Sequence, residues 1–327
     1  MTRPGPAMRQ AMADAEVGDD VFREDPTVQR LEERVASMLG KEAGLFVPSG
    51  TMGNQLALLV LTQRGDEVLV GEGAHCLWYE TSAAAVLGQL QLTTIGRGGF
   101  FAPDDITDAL HPPADWNPRV TVVAFENTHN RAGGRIWPVA MRRAAIERAK
   151  SHSLLCHLDG ARLCNASVAS GESLPSLCDG FETVSICLSK GLGAPAGSVL
   201  VSSRARIAEA RRWRKRLGGG MRQSGILAAA GLYALDHHLD RLADDHRNAR
   251  RLYEALAPHG ALVPDSNIVM VDLANGASAE QFCARAKAEG VLASAFGPSR
   301  VRLVTHLDVT SADVERAIAV LTKLAAS

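Results

Sequence analysis

Lys190 occupies a position from which an amine could do chemistry. It follows the β-rich run 183–188 and precedes the flexible turn Gly191-Leu192-Gly193. A lysine held at the end of a strand can direct its amine into a cleft, where the amine can act as a nucleophile. An ordinary surface lysine would fit the same stretch, so partners elsewhere in the chain must decide between the two.

Asp159 is the first such partner. It ends the apolar run 154–158 and is followed by Gly160-Ala161-Arg162, a pattern that places a carboxylate at the ligand edge of an open α/β sheet. Strand, Asp, strand, Lys is the arrangement that holds pyridoxal phosphate: the lysine forms a Schiff base with the cofactor, and the aspartate keeps the pyridine nitrogen protonated. An Asp that caps a helix would suit the same turn. Taken together, the two residues favour the cofactor.

A third stretch could hold the cofactor phosphate. Ser49-Gly50-Thr51 leads from the short strand 45–47 into a helix that runs to Leu61. A small-residue turn at a helix start offers free N–H groups and the positive end of the helix dipole. The turn lacks the glycines and lysine of a nucleotide-binding P-loop, which argues against ATP. By itself it could be a simple capped helix; beside Lys190 and Asp159 we expect Gly50 and Thr51 to cradle phosphate.

Composition narrows the class of protein. The chain has 327 residues, 46% of them hydrophobic and 22% charged, with a net charge of -1, which fits a soluble globule with one large and one small domain. The charge gives no reason to expect nucleic-acid or membrane partners, and the basic run 204–216 is interpreted as a solvated helix face. The six cysteines form no C-x-x-C pair, so we expect reduced core residues and no metal site. With no apolar signal core at the N-terminus, the sequence predicts a cytoplasmic protein.

Strands that alternate with helical stretches predict an α/β fold with a mostly parallel sheet. We expect residues 1–235 to form a large cofactor-binding domain with an aperiodic N-terminal arm. Residues 236–327 are expected to form a small C-terminal α+β domain that includes part of a long linking helix, 226–256. A further helix is expected to carry Trp78, Tyr79 and Val86, and a strand is expected at 291–295.

Motifs spread through the chain resemble those of the low-specificity L-threonine aldolases, which are fold-type I pyridoxal-phosphate enzymes with an aspartate aminotransferase-like large domain. They occur in the family's order and cover almost the whole chain. The matching runs are residues 15–21, 46–55, 126–130, 157–162, 187–195, 218–223 and 302–306.

The resemblance implies an aldehyde-lyase that cleaves L-threonine, L-allo-threonine and related β-hydroxy-α-amino acids reversibly to glycine and an aldehyde. It implies that His75 stacks on the pyridine ring, that His129 faces the substrate hydroxyl, and that Arg162 lies at the cofactor's phenolic oxygen and near the substrate. Arg302 would bind the α-carboxylate. The catalytic base stays open between His75, His129 and a water bound between them.

The resemblance also implies a homo-oligomer, a dimer or a homotetramer built as a dimer of dimers, with shared active sites. Lys215 and Arg222 flank Gly218-Gly219-Gly220 and would reach the cofactor phosphate of a neighbouring subunit.

Two features depart from the family's pattern. The family's Asp-Leu-Arg-Ser-Asp segment is not in this sequence, which leaves Arg302 with less help in binding a carboxylate, and Phe22-Arg23 stands where many relatives carry Tyr-Gly. The alternatives are therefore a transaldolase, a phenylserine-type aldolase, or a catalytically weak pyridoxal-phosphate-binding protein. An NAD-dependent enzyme is disfavoured because no G-x-G-x-x-G follows the early strands.

Overall fold

The computed structural model describes residues 2–326, apart from the side chain of Asn275. Its central feature is a seven-stranded sheet with the order β1-β7-β6-β5-β4-β2-β3. The strands are β1 Ala43–Val47, β2 Glu67–Gly71, β3 Gln91–Ile95, β4 Val120–Glu126, β5 Leu155–Gly160, β6 Thr183–Cys187 and β7 Ser198–Ser202.

Five of these strands, β2 to β6, are parallel, and β7 runs antiparallel to both β6 and β1. Every residue of β2, β6 and β7 is buried, as expected for a sheet covered on both faces by helices. The predicted mostly parallel α/β sheet is confirmed.

The helices are α1 Pro6–Ala13, α2 Pro26–Met38, α3 Gly50–Leu61, α4 His75–Trp78, α5 Pro103–Asp108, α6 Val139–Ser151, α7 Leu163–Ser170, α8 Leu174–Leu177, α9 Arg204–Arg216, α10 Gly225–His237, α11 Leu242–Leu256, α12 Ala279–Ala288 and α13 Ser311–Ala325. Their ends follow local chemistry. The Asp25 carboxylate, for example, accepts the N–H groups of Thr27 and Val28 and begins α2, with Pro26 in the first turn. Between residues 2 and 326, no helix is long and apolar enough to cross a bilayer.

A second, three-stranded antiparallel sheet has its own core. Strands β8 Ile268–Asp272, β9 Ser294–Ala295 and β10 Arg300–Val304 are arranged β8-β10-β9. Their inner residues pack with α11, α12 and α13 in a cluster separate from the large core. The expected α+β unit is present; the division at residues 235 and 236 stays a prediction.

The structure corrects four expectations about elements. The arm contains α1, whose Met8 is buried in the large core. The helix expected to run through Val86 ends at Trp78, because Thr81 and Ser82 take left-handed φ angles of 52° and 56°. A separate π-helical turn, Ala84–Gly88, follows.

The long helix expected at 226–256 is two helices, α10 and α11. The break coincides with His238, which ends α10 and whose ring Nδ1 lies 2.6 Å from the carbonyl oxygen of Leu192. The strand expected at 291–295 is shorter, because only Ser294 and Ala295 pair with β10. The cysteines are free thiols, and five of the six are buried, as predicted.

Candidate active site

The carboxyl ends of three neighbouring strands form the edge on which the site is built. Asp159 of β5 lies opposite Glu126 of β4 and Ser185 of β6. The turn that carries Lys190 begins just after β6 ends at Cys187. Parallel strands bring their carboxyl ends to one edge, so Asp159 and the lysine turn share it as the sequence predicted.

Asp159 is a buried carboxylate held by neutral donors. Its Oδ2 accepts a hydrogen bond from Asn54 Nδ2 at 2.7 Å, and its Oδ1 accepts the N–H of Ala161 at 3.0 Å. It does not cap α7, whose N-cap residue is Arg162. Among the ion pairs within residues 2–326, none involves Asp159, so this buried anion suits a cationic N–H supplied by a ligand.

Asn54 connects Asp159 to two further side chains. His157 Nε2 lies 3.2 Å from Asn54 Oδ1, and His157 Nδ1 lies 2.9 Å from the hydroxyl of Thr183. Both contacts are satisfied by a neutral ring that donates from Nε2 and accepts at Nδ1. Burial lowers the pKa of His157 to about 4, which agrees with a neutral ring. The amide nitrogen of Asn54 also donates to Glu80 at 2.8 Å.

His75 begins α4 and is held at two points. Its Nδ1 lies 2.8 Å from Glu80 Oε1, and its backbone N–H donates to Glu126 Oε2 at 2.8 Å. The hydrogen bond to Glu80 raises the pKa of His75, against the opposing effect of burial. One ligand atom each of His75, Glu80 and Asp159 lie within 4.8 Å of one another. Because N–H groups already occupy the Glu80 carboxylate, we interpret this group as a hydrogen-bonded network and not as a metal site.

His129 lies deeper than the sequence suggested. Its side chain is 1% exposed, and its Nδ1 accepts the N–H of Ala132 at 3.2 Å. Its Nε2 is 3.7 Å from Glu126 Oε2, too far for a hydrogen bond. Gly99 packs so closely on the ring that a Cβ there would lie 2.5 Å from His129 Cγ. Burial raises the pKa of Glu126.

Arg162 and Arg302 meet at one amide oxygen. Asn130 Oδ1 accepts from Arg302 Nη1 at 2.9 Å and from Arg162 Nη1 at 3.4 Å. Burial lowers the pKa of both guanidinium groups, and the charge of Arg302 lowers that of Arg162 further. Arg302 Nε is buried without a hydrogen-bond partner in the described chain. Two like charges around a neutral oxygen form a site that an anion would stabilise.

The start of α3 lies beside the end of β6. Ser49 caps the helix by accepting the N–H of Met52 at 3.2 Å, which leaves the first-turn N–H groups of Gly50 and Thr51 without intrahelical partners. A Cβ at Gly50 would lie 3.1 Å from Cys187 Sγ, so the start of α3 closely approaches the end of β6, just before the lysine turn.

A cavity of about 880 Å³ is lined by Arg162, by Lys190 and by Arg302 of β10, among others. Its size is in the usual range for a small-molecule site. Lys215 and Arg222 are not brought to it within one chain. Lys215 lines a separate basic pocket with Arg23, and the Arg222 guanidinium, which is 61% exposed, pairs with Asp19.

Four polar residues at this edge were missed by the sequence reasoning. A signal existed for Asn54 and Gln55, two amides side by side on the otherwise apolar helix α3, because buried polar groups need partners. No comparable local signal marked Glu80, and Asn130 stood out only as part of the polar run 126–130, which gave it no role of its own.

Comparison with known proteins agrees with this geometry. Residues 1–275 match the family model described as beta-eliminating lyase. The chain is 44% identical to the low specificity L-threonine aldolase of Escherichia coli O157:H7, covering 95% of this chain and 92% of that protein. It is 41% identical to low-specificity L-threonine aldolase 1 of Arabidopsis thaliana, covering 96% and 91%. A more distant relative, the alanine racemase TOXG of Cochliobolus carbonum, is 33% identical over 97% of this chain and 84% of its own.

The solved structure of Leishmania major threonine aldolase has the same fold, with a TM-score of 0.83 at 20% identity over 99% of this chain and 97% of that one. The chain therefore belongs to the beta-eliminating lyase family and, within it, to the low-specificity L-threonine aldolases.

Proposed function

We propose that the chain is a pyridoxal-phosphate-dependent lyase that cleaves L-threonine, L-allo-threonine and related β-hydroxy-α-amino acids to glycine and an aldehyde, reversibly. The observation that carries the proposal is that Asp159 and the Lys190 turn share one edge of the large sheet while Lys190 and Arg302 line the same cavity, in a chain 41% to 44% identical to low-specificity L-threonine aldolases.

The residues at this edge fit the cofactor. Lys190 would hold it covalently, and Asp159, whose donors within the described chain are all neutral, would accept the hydrogen bond of a protonated ring nitrogen. Gly50 and Thr51 would donate backbone N–H groups to the phosphate, and Arg162 would contact the phenolic oxygen. When bound, pyridoxal phosphate supplies a ring that accepts the electron pair released as a bond at Cα breaks.

Arg302 would fix the geometry of the reaction. Its guanidinium would bind the substrate α-carboxylate in two-point fashion, with Arg162 and Asn130 beside it. A carboxylate held in this way would fix the rotation of the substrate about its Cα–N bond and so select Cα–Cβ, rather than Cα–H, as the bond that breaks.

The hydrogen bonds of the two histidines favour His75 as the base that removes the hydroxyl proton. Ala132 N–H already occupies the Nδ1 lone pair of His129, so the neutral ring carries its proton on Nε2 and has no free lone pair. His75 has its Nδ1 at Glu80, which leaves a lone pair on Nε2. A water oriented by His75 would serve the same role.

The assembly and the compartment belong to the same proposal. We expect a homotetramer or dimer in which Lys215 and Arg222 of one subunit reach the cofactor phosphate of the next, and a cytoplasmic location. The exposure of Arg222 and the basic pocket at Lys215 support the first expectation.

The test is acetaldehyde release from L-threonine by the purified protein. We expect Lys190→Ala to abolish turnover and the visible absorbance of lysine-bound cofactor, and borohydride reduction of the wild type to fix cofactor mass on the peptide that contains Lys190. Lys323→Ala, which removes a lysine with a 76% exposed side chain, should change neither. A Lys190→Ala protein that kept turnover and absorbance would refute the assignment.

The relative named alanine racemase motivates a second candidate, which uses the same edge to exchange a Cα proton. D-alanine formation from L-alanine, measured in the same preparation, separates the two. Benzaldehyde release from phenylserine, compared with acetaldehyde release, tests the phenylserine-type alternative.

A further inference from the structure

We propose that Glu80 is the positioning residue of the site: it holds the His75 ring with a proton on Nδ1 and the lone pair on Nε2, and the amide of Asn54 ties the same carboxylate to Asp159. The part of the proposal that concerns the reaction rests on the proposed function. The part that concerns the state of His75 does not.

Three donors converge on the Glu80 carboxylate. Its side chain is fully buried, and it accepts hydrogen bonds from Asn54 Nδ2 at 2.8 Å and Gln55 Nε2 at 2.6 Å, besides the contact with His75 Nδ1 at 2.8 Å. A carboxylate has only acceptors, so the imidazole nitrogen that faces it must carry a proton. The two amides of α3 hold Glu80 in place, and Glu80 in turn determines which nitrogen of His75 is free.

The backbone around Glu80 supports a function for this position. The next two residues, Thr81 and Ser82, have φ angles of 52° and 56°. Left-handed conformations are unfavourable for non-glycine residues, because Cβ comes too close to the following carbonyl oxygen. The chain adopts this turn directly after Glu80, whose carboxylate is buried and fully hydrogen-bonded. Unfavourable backbone conformations of this kind cluster at functional sites, where the surrounding contacts hold them in place.

Four charged groups of the described chain act on His75. Glu80 and Asp159 favour its protonated form, Lys190 disfavours it, and Glu126 holds the backbone N–H. Burial opposes the charge, yet the net pKa of His75 is raised, with the Glu80 hydrogen bond as the largest cause. Removing the Glu80 charge while keeping its shape should therefore have the largest effect of any single change nearby.

The experiment measures the titration of individual histidines in the full-length protein, from the pH dependence of imidazole C2-hydrogen exchange detected by mass spectrometry. Glu80→Gln should lower the midpoint of His75 by about one pH unit, because an amide stabilises imidazolium less than a carboxylate does. Glu67→Gln is the matched control. Glu67 is also buried and lies 2.8 Å from a histidine, His111, so this variant makes the same chemical change beside another histidine and should leave the His75 midpoint unchanged.

The second readout is the pH profile of kcat/KM for L-threonine. If Glu80 acts through His75, the acid limb moves to lower pH in Glu80→Gln by the same amount as the His75 midpoint. A merely structural role would reduce activity at every pH without moving the limb.

If Glu80→Gln folds and the titration midpoint of His75 is unchanged, the proposal is wrong. If the midpoint moves but the acid limb of the kcat/KM profile does not, the part of the proposal that concerns the reaction is wrong. If Glu80→Gln does not fold, Gln55→Met removes one donor from Glu80 and should raise the His75 midpoint; no change would be equally decisive. Absence of threonine cleavage in the wild type would defeat the proposed function and leave the titration result standing.

Discussion

Asn130 places one amide oxygen between two cations that would otherwise repel each other. Arg162 and Arg302 both donate to it, and its own backbone N–H is fixed by Glu126 Oε1 at 2.8 Å. The oxygen aligns the guanidinium groups without neutralising them, so their charge stays available for a substrate carboxylate.

Asn130→Asp should therefore raise KM for L-threonine by roughly 10-fold or more, because a carboxylate at this position would pair with both guanidinium groups; a hydrogen bond to a charged group contributes about 1.5 to 3 kcal/mol. We expect kcat to fall less than KM rises. Steady-state kinetics checks this, with Asn117→Asp as a control that adds the same charge at another site. An unchanged KM would show that the substrate carboxylate binds elsewhere.

At the level of elements, α3, β5 and β6 are joined by one neutral histidine. His157 lies between Thr183 of β6 and Asn54 of α3, and its folded-state pKa is about 4, compared with its ordinary value of 6.5. The unfolded chain therefore takes up the proton first as the pH falls. The contribution of His157 is fully present above pH 6.5 and is lost as the pH falls towards 4.

The predicted loss is on the order of 3 kcal/mol over this range, at 1.36 kcal/mol per unit of pKa shift. Urea unfolding at several pH values should show His157→Gln, which keeps a donor and an acceptor but does not titrate, with a shallower decline than the wild type. His152→Gln, at an exposed position, serves as the control for loss of a histidine. Parallel declines for wild type and His157→Gln would contradict the prediction.

Local patterns determined which elements the sequence could predict. The small-residue turn 49–51 and the apolar run after it predicted a helix that ends at Leu61, and α3 ends there. Asp159 and Lys190 were found because strand ends follow a rule that can be read locally. The partners of Glu80 and Asn130 could not be found in this way: Asn130 bonds a guanidinium 172 residues away, and only the folded chain brings the two together.

At the scale of the whole molecule, a variant at Arg222 tests whether the active site is shared between subunits. Arg222→Ala should weaken retention of pyridoxal phosphate, measured as cofactor lost on dialysis, although its ion pair with Asp19 is an exposed one that contributes little to stability. Arg119→Ala is the matched control, since Arg119 is also 61% exposed and also pairs with an aspartate. Equal retention in the two variants would count against a neighbour's phosphate site.

Mixed assemblies make the test sharper. If Arg222 acts on the neighbouring subunit, combining Lys190→Ala subunits with Arg222→Ala subunits creates some sites with both wild-type residues. We expect such mixtures to retain more cofactor-dependent activity than the average of the two variants measured separately. No excess over that average would mean that both residues serve the site of their own chain.

The exposed Arg222 has a practical consequence for anyone who handles this enzyme. If the site takes its phosphate-binding cation from a neighbouring subunit, as we propose, it loses that cation when the subunits dissociate. At the nanomolar concentrations of a sensitive assay, activity per subunit should fall on dilution, and excess vitamin cofactor in the buffer should restore it.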